Sequence, residues 1–152
     1  MKIDERLIEM GIILPQAAKP LAAYVPGLKS GEYIYTSGQL PIQNGELVYR
    51  GKLGEDLSVE EGQEAARLCT LNSLAIIKDL IGNWDNLIRI VKITGYVQSA
   101  PNFYDQPQVI NGASQLLEQI FGEAGKHARS AVGAASLPLN AACEIEMVVK
   151  VK

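Results

Sequence analysis

Hydrophobic and polar positions change period several times along the chain, and each change marks a predicted element. Residues 3–10 predict a short amphipathic helix. Residues 22–28 and 32–37 read as two short strands around the turn-prone Lys29-Ser30-Gly31, with Gly38 ending the second. Residues 43–57, which include Asn44-Gly45 and Gly54, read as a loop or small hairpin around residues 46–49. Ser58-Val59-Glu60-Glu61 then forms a capping box, in which the Ser58 hydroxyl and the Glu61 carboxylate each accept one orphan backbone N–H at a helix start. The helix it opens runs to about Ile81 and stops at Gly82-Asn83. Its second half is apolar almost all round, so more than one side is buried.

Beyond it, residues 87–98 predict a strand in which Val91, Ile93, Gly95 and Val97 alternate with Lys92, Thr94, Tyr96 and Gln98. Pro107 suits the first turn of another helix, where its missing N–H has no intrahelical partner to lose. Val109, Ala113, Leu116 and Ile120 keep helical spacing up to a stop at Gly122. A strand of small residues follows at 130–136, then a Leu137-Pro138 break. The last strand has the cleanest alternation: Cys143, Ile145, Met147, Val149 and Val151 point one way, Glu144, Glu146, Lys150 and Lys152 the other. This order predicts an α+β domain with one mixed six-stranded sheet and two helices on one face. The other face is left for solvent, a ligand or copies of the chain.

A chain of 152 residues with 47% hydrophobic and 20% charged residues fits one soluble globular domain. Its net charge of −3 and pI near 5.2 argue against nucleic acid, whose phosphates require clustered Lys and Arg. Asp4, Glu5 and Glu9 interrupt the start of the chain, unlike a signal peptide, and no run is long enough to span a bilayer. Cys69 and Cys143 are expected as buried free thiols in a reducing compartment, which points to the cytoplasm. With His127 the only histidine, no metal-ligand cluster is apparent.

Three segments resemble the RidA family, also called the YjgF or liver perchloric-acid-soluble protein family. They are Ala23-Tyr24-Val25-Pro26-Gly27 with Tyr35-Thr36-Ser37-Gly38-Gln39-Leu40-Pro41; Arg129-Ser130-Ala131-Val132-Gly133 with Leu137-Pro138; and Glu144-Ile145-Glu146-Met147-Val148. Their order agrees with the family over residues 20–152 and leaves residues 1–19 as an N-terminal extension. The chain departs from the pattern at Ala22-Ala23 (Gly-Pro in the family), Ser136 (usually Arg), Ala131 (often Cys) and Gly133 (larger, often acidic), as a divergent subgroup would.

The resemblance implies a chorismate-mutase-like fold, a homotrimeric barrel with helices outside, and sites in the clefts between subunits. It implies cofactor-independent hydrolysis of 2-imino acids and their enamine tautomers, such as 2-aminoacrylate, to 2-ketoacids and ammonia. By position, Arg129 matches a carboxylate-binding arginine and Glu144 the acid that holds the attacking water. Tyr24 and Ser37 match pocket residues, Asn111 a helix asparagine, and Ala131 a position that works through its backbone.

The residue types suit that chemistry. An arginine fork gives two parallel charge-assisted hydrogen bonds to a planar carboxylate, though an isolated arginine at a strand start is also an ordinary surface charge. Glu144 lies across the Leu137-Pro138 break from Arg129, so pairing of their two strands brings it near that arginine or its symmetry mate. There a carboxylate could orient water and relay a proton, or form a structural salt bridge. Glu146, on the same face, is its rival. Tyr24 is either a pocket donor or a packing residue, and Ser37, without a histidine base, has at most a hydrogen-bonding role. His127 either adds positive potential to the cleft or is a solvated loop residue. A non-catalytic ketoacid-binding trimer and a ribonuclease or translation inhibitor are the competing functions.

Overall fold

The computed structural model describes residues 2–20 and 22–152; Met1, in the expected N-terminal extension, lies outside them. Helix α1 (Ile3–Glu9) leads to strands β1 (Gly27–Ser30) and β2 (Tyr33–Thr36) and a small hairpin of β3 (Ile42–Gln43) and β4 (Glu46–Leu47). Then come helix α2 (Val59–Ile81), strand β5 (Leu87–Gln98), helix α3 (Gln106–Phe121), and strands β6 (Ala128–Ala134) and β7 (Cys143–Val151). The predicted cap of α2 is formed: Glu61 N–H donates to Ser58 Oγ at 3.2 Å and Ser58 N–H to Glu61 Oε1 at 3.1 Å.

The first strands start and turn later than their sequence pattern predicts. Ser30 pairs with Tyr33, so the connection is the two residues Gly31-Glu32. Gly31 has φ +59° and Glu32 does not share the positive sign, which is the II′ arrangement that matches strand twist. Lys29 and Ser30 therefore belong to the ladder. Residues 22–26 are not a strand: Ser37 holds them from outside, its N–H donating to Pro26 O and its hydroxyl to Val25 O, both at 2.7 Å.

The main sheet has five strands, in the order β1-β2-β7-β5-β6. The expected sixth is the β3–β4 hairpin, which stands apart because Asn72 of α2 donates to Leu40 O and Ile42 O at 3.0 and 2.9 Å and draws that segment onto the helix. β6 and β7 were expected to pair, and they do not. β5, α3 and β6 form a strand–helix–strand unit whose crossover lays β6 parallel to β5, so β7 joins antiparallel on the other edge of β5. A bulge at Val91 puts Ile90 in the buried row and Val91 out of it.

Both long helices cover one face. Ile34, Ile93, Ile145 and Met147 meet Leu74, Ile77, Ile110 and Leu117 there with essentially no exposure. α1 joins the same core through Leu7, and Arg6 donates to Ile120 O at 2.7 Å. Cys69 and Cys143 are free and buried, with Sγ atoms 3.7 Å apart; burial first, then the neighbouring Cys143, holds the Cys69 thiol well above the ordinary range. Buried Gln98 ties the loops together, donating to Gly51 O and Asn140 Oδ1 and accepting from Leu137 N–H. Among the described residues, no helix is long and apolar enough to cross a membrane and no three potential ligands cluster as a metal site.

The open face of the sheet leaves Leu28, Tyr35 and Val132 between 44 and 48% exposed. On the covered side, α2 and α3 approach so closely at Gly112 that a Cβ there would overlap the Gln63 carbonyl. Backbone cannot rotate away as a side chain can. Gly112→Ala is expected to lower stability by about 1–3 kcal/mol; an unchanged urea midpoint would show that the helices can part freely at this point.

Candidate functional site

Arg129 is level with Ile93 of β5, which is buried beneath the helices. Partners in register share a face, so the Arg129 side chain rises on the helix side, at the outer edge of the sheet. Its Nη1 donates to Ser114 Oγ at 3.1 Å and its Nη2 to Pro107 O at 3.2 Å. Both acceptors are neutral, and among the described residues Arg129 makes no ion pair. A charge held by geometry but not neutralised is suited to receive an anion.

Asn111, Ser114, Glu118, Lys126 and His127 line a shallow depression of about 280 Å³ with Arg129. The structure thus brings Asn111 and Arg129 together. His127 is neither a solvated loop residue nor a source of positive potential. Burial lowers its pKa below the ordinary 6.5, with the Arg129 charge adding to the effect and the Gly125 carbonyl opposing it, so the ring is neutral at neutral pH. A carbonyl can only accept, so Nδ1, 2.6 Å from Gly125 O, carries the proton. Nε2 is left to accept from the Ser114 hydroxyl at 2.9 Å. Ala131 stands opposite Gly95, and its side chain packs against the core, leaving its backbone as the group on offer.

Glu144 belongs to a different neighbourhood. It is level with Tyr96, three residues along β5 from Ile93, and the odd offset turns it onto the open face. Within one chain Arg129 and Glu144 are therefore on opposite faces with β5 between their strands, which overturns the expectation that those strands pair. The carboxylate of Glu144 lies over Gly38, where any Cβ would overlap it. Gln39 fixes that approach, donating to and accepting from the Ile145 backbone at 2.8 and 3.0 Å. Gly38 has no positive φ, so a side chain there would displace the Glu144 carboxylate without straining the backbone.

The rival Glu146 is engaged, accepting from Tyr96 Oη at 3.2 Å. Glu144 accepts no hydrogen bond among the described residues, and burial, then the charge of Glu146, raises its pKa above the ordinary 4.5. Ser37, whose Oγ is used on Val25 O, anchors the segment that carries Tyr24, and Tyr24 itself is 59% exposed. The candidate residues thus form two half-sites: Tyr24, Ser37 and Glu144 on one side, Arg129 and Asn111 on the other. Sequence reasoning missed Ser114 and the His127 bond to it, because thirteen residues and a helix end separate them and neither lies in a recognisable motif.

A family model described as "YjgF/chorismate_mutase-like, putative endoribonuclease" matches residues 4–151. The chain belongs to this family. Protein TCP17 of Trypanosoma cruzi is 42% identical over 150 residues, covering 98% of this chain and 94% of that protein. The solved structure of Atu1372 from Agrobacterium tumefaciens, of unknown function, superposes with TM-score 0.92 at 46% identity over 99% of this chain and 92% of that one. E. coli TdcF, solved with bound serine, gives TM-score 0.63 at 27% identity over 90% and 94% of the two chains. The YjgF fold is α+β, with a mixed sheet and helices on one side, as observed.

The raised pKa of Glu144 has a consequence for stability. The folded chain holds this proton to higher pH than the unfolded chain, so stability falls as pH rises from 4.5 through the folded value. Glu144→Gln removes that fall. In urea melts the variant should gain on the wild type as pH rises above 4.5; parallel curves would mean that the carboxylate is not desolvated.

Proposed function

We propose that this protein hydrolyses 2-imino acids and their enamine tautomers, such as 2-aminoacrylate, to 2-ketoacids and ammonia, in clefts between the subunits of a homotrimer. The observation that carries the reading is the guanidinium of Arg129, fixed by two neutral acceptors and without an acidic partner among the described residues. A planar 2-imino carboxylate fits such a fork, which then sets the plane in which the C=N carbon meets water. Serine bound to TdcF is likewise an amino acid with a carboxylate beside the substituted carbon.

Glu144 supplies the other function. Water adds to the C=N carbon, the nitrogen gains protons and leaves as ammonia, and the carbon keeps the oxygen as a ketone. A carboxylate that orients the water can take its proton and return one to nitrogen, and a pKa raised toward the working pH favours both transfers. No redox step occurs, and no cofactor is required by this balance. The two half-sites lie on opposite faces of one chain, so a second copy must complete the site. The apolar residues on the open face, together with the exposed edge of β6, offer the surface for it.

A ribonuclease reading draws on the family description, and the acidic chain with its single histidine lends it little. A binding trimer without turnover would use the same Arg129. Ammonia release from an imine generated in situ by an amino-acid oxidase separates it from the enzyme.

Three outcomes follow from the proposed roles. Light scattering should give a trimer, and a stable monomer at micromolar concentration would remove the shared site. Arg129→Lys keeps the charge and loses the fork, so ketoacid affinity should fall by about 1.5–3 kcal/mol, roughly one to two orders of magnitude; unchanged calorimetric binding would place the carboxylate elsewhere. Glu144→Gln should slow turnover by about 10²- to 10⁴-fold and leave ketoacid affinity nearly intact. If Glu146→Gln slows the reaction and Glu144→Gln does not, the roles on β7 are exchanged.

A further inference from the structure

Ser114 and His127 stand beside Arg129 in a single directional chain: Gly125 O accepts from His127 Nδ1–H, His127 Nε2 from the Ser114 hydroxyl, and Ser114 Oγ from Arg129 Nη1. The hydroxyl has one hydrogen, and neutral His127 takes it. Nothing in the fold requires this arrangement for the guanidinium alone, since Pro107 O already anchors it. We propose that Ser114 and His127 form a proton-linked switch on the anion site of Arg129, in which protonation of His127 turns the Ser114 hydroxyl from the ring toward the bound carboxylate. This rests on the reading of Arg129 as the carboxylate grip and adds two positioning residues to it.

The switch works by reversal of one hydrogen bond. When Nε2 gains a proton it becomes a donor to Ser114 Oγ, which then accepts from both His127 and Arg129. The hydroxyl hydrogen is displaced and is free to donate to an anion on the guanidinium. Charge acts in the same direction. A carboxylate on Arg129 offsets one of the cations that disfavour imidazolium, so ligand and proton each strengthen binding of the other.

The charged surroundings of the ring do not remove this coupling. From α3 comes Glu118, from the connection to β6 come Glu123 and Lys126, and these three are mutually paired, Lys126 Nζ being 2.6 Å from Glu123 and 3.9 Å from Glu118. On its other side the ring shares a shallow depression with Tyr33, Arg89 and Lys150. Arg89 donates to Lys126 O at 2.8 Å, and Lys150 is 3.8 Å from Glu32. Arg89 and Arg129 make no ion pair among the described residues, and of the two only Arg129 donates to Ser114, the residue bonded to the ring.

Because His127 is the only histidine, its ring proton can be followed by NMR in the intact, untagged protein, with pyruvate as the probe. The midpoint should lie below 6.5 without ligand and rise when pyruvate saturates. Calorimetric affinity for pyruvate should increase as pH falls from about 8 to about 5.5, by no more than about tenfold per pH unit for one linked proton. In a Glu144→Gln background, which removes the other titrating group of the proposed site, His127→Gln should still bind pyruvate, with affinity flat across that range. Ser114→Ala should lose part of the midpoint shift and, by the same coupling, an equal part of the gain in affinity at low pH. An unmoved midpoint with binding that still depends on Arg129 overturns the switch and leaves the grip standing. Binding that survives Arg129→Lys unchanged overturns the grip and the switch with it.

Discussion

β5 pairs with β6 on one edge and β7 on the other, and this double pairing fixes the faces of Arg129 and Glu144. Ile93 is level with both Arg129 and Met147, and Tyr96 with both Val132 and Glu144. The two rows are three residues apart, an odd number, and a strand reverses face at each residue. Arg129 is thereby committed to the helix side and Glu144 to the open side. No rotamer change can reunite them within a chain, because the sheet itself lies between.

This separation also explains the electrostatics of each half. Had β6 and β7 been neighbours, Arg129 and Glu144 could have formed an internal ion pair, and each would have satisfied the other. Arg129 instead keeps a full charge beside a serine hydroxyl and a main-chain carbonyl. Glu144 keeps a carboxylate with no donor among the described residues and a pKa moved upward. Each half is left wanting what a small carboxylate and a water molecule can supply, which is how the fold converts a topological fact into chemical opportunity. On the proposed reading, a second copy brings the halves together and the ligand bridges them.

Much of this architecture is legible in the sequence where the signals are local. The capping box at Ser58, the glycine stops at Gly82 and Gly122, Pro107 in the first turn of α3 and the alternation of β7 each depend on residues within one turn or one strand, and each is formed as read. The errors are of another kind. Pairing of β6 with β7 follows from their adjacency in sequence, and it is overridden by the parallel crossover through α3. The count of six strands fails because one asparagine on α2 claims the hairpin. Arg129 and Glu144 lie in segments that resemble the family and Asn111 matches by position, whereas the Ser114–His127 contact exists only once helix and strand are packed.

Gly38 sets the two acids of β7 apart in three dimensions. Glu144 and Glu146 share a face and are chemically identical, so alternation alone cannot rank them. Glu146 lies against Tyr96, whose hydroxyl supplies a donor. Glu144 lies over the one residue in the Ser37-Gly38-Gln39 segment that lacks a side chain, and the reciprocal bonds of Gln39 to Ile145 keep the backbone pressed against it. Close approach of backbone desolvates the carboxylate, and absence of a side-chain donor leaves its lone pairs open to water or substrate. On the proposed reading, the carboxylate that is harder to ionise is also the one that exchanges a proton with water and substrate.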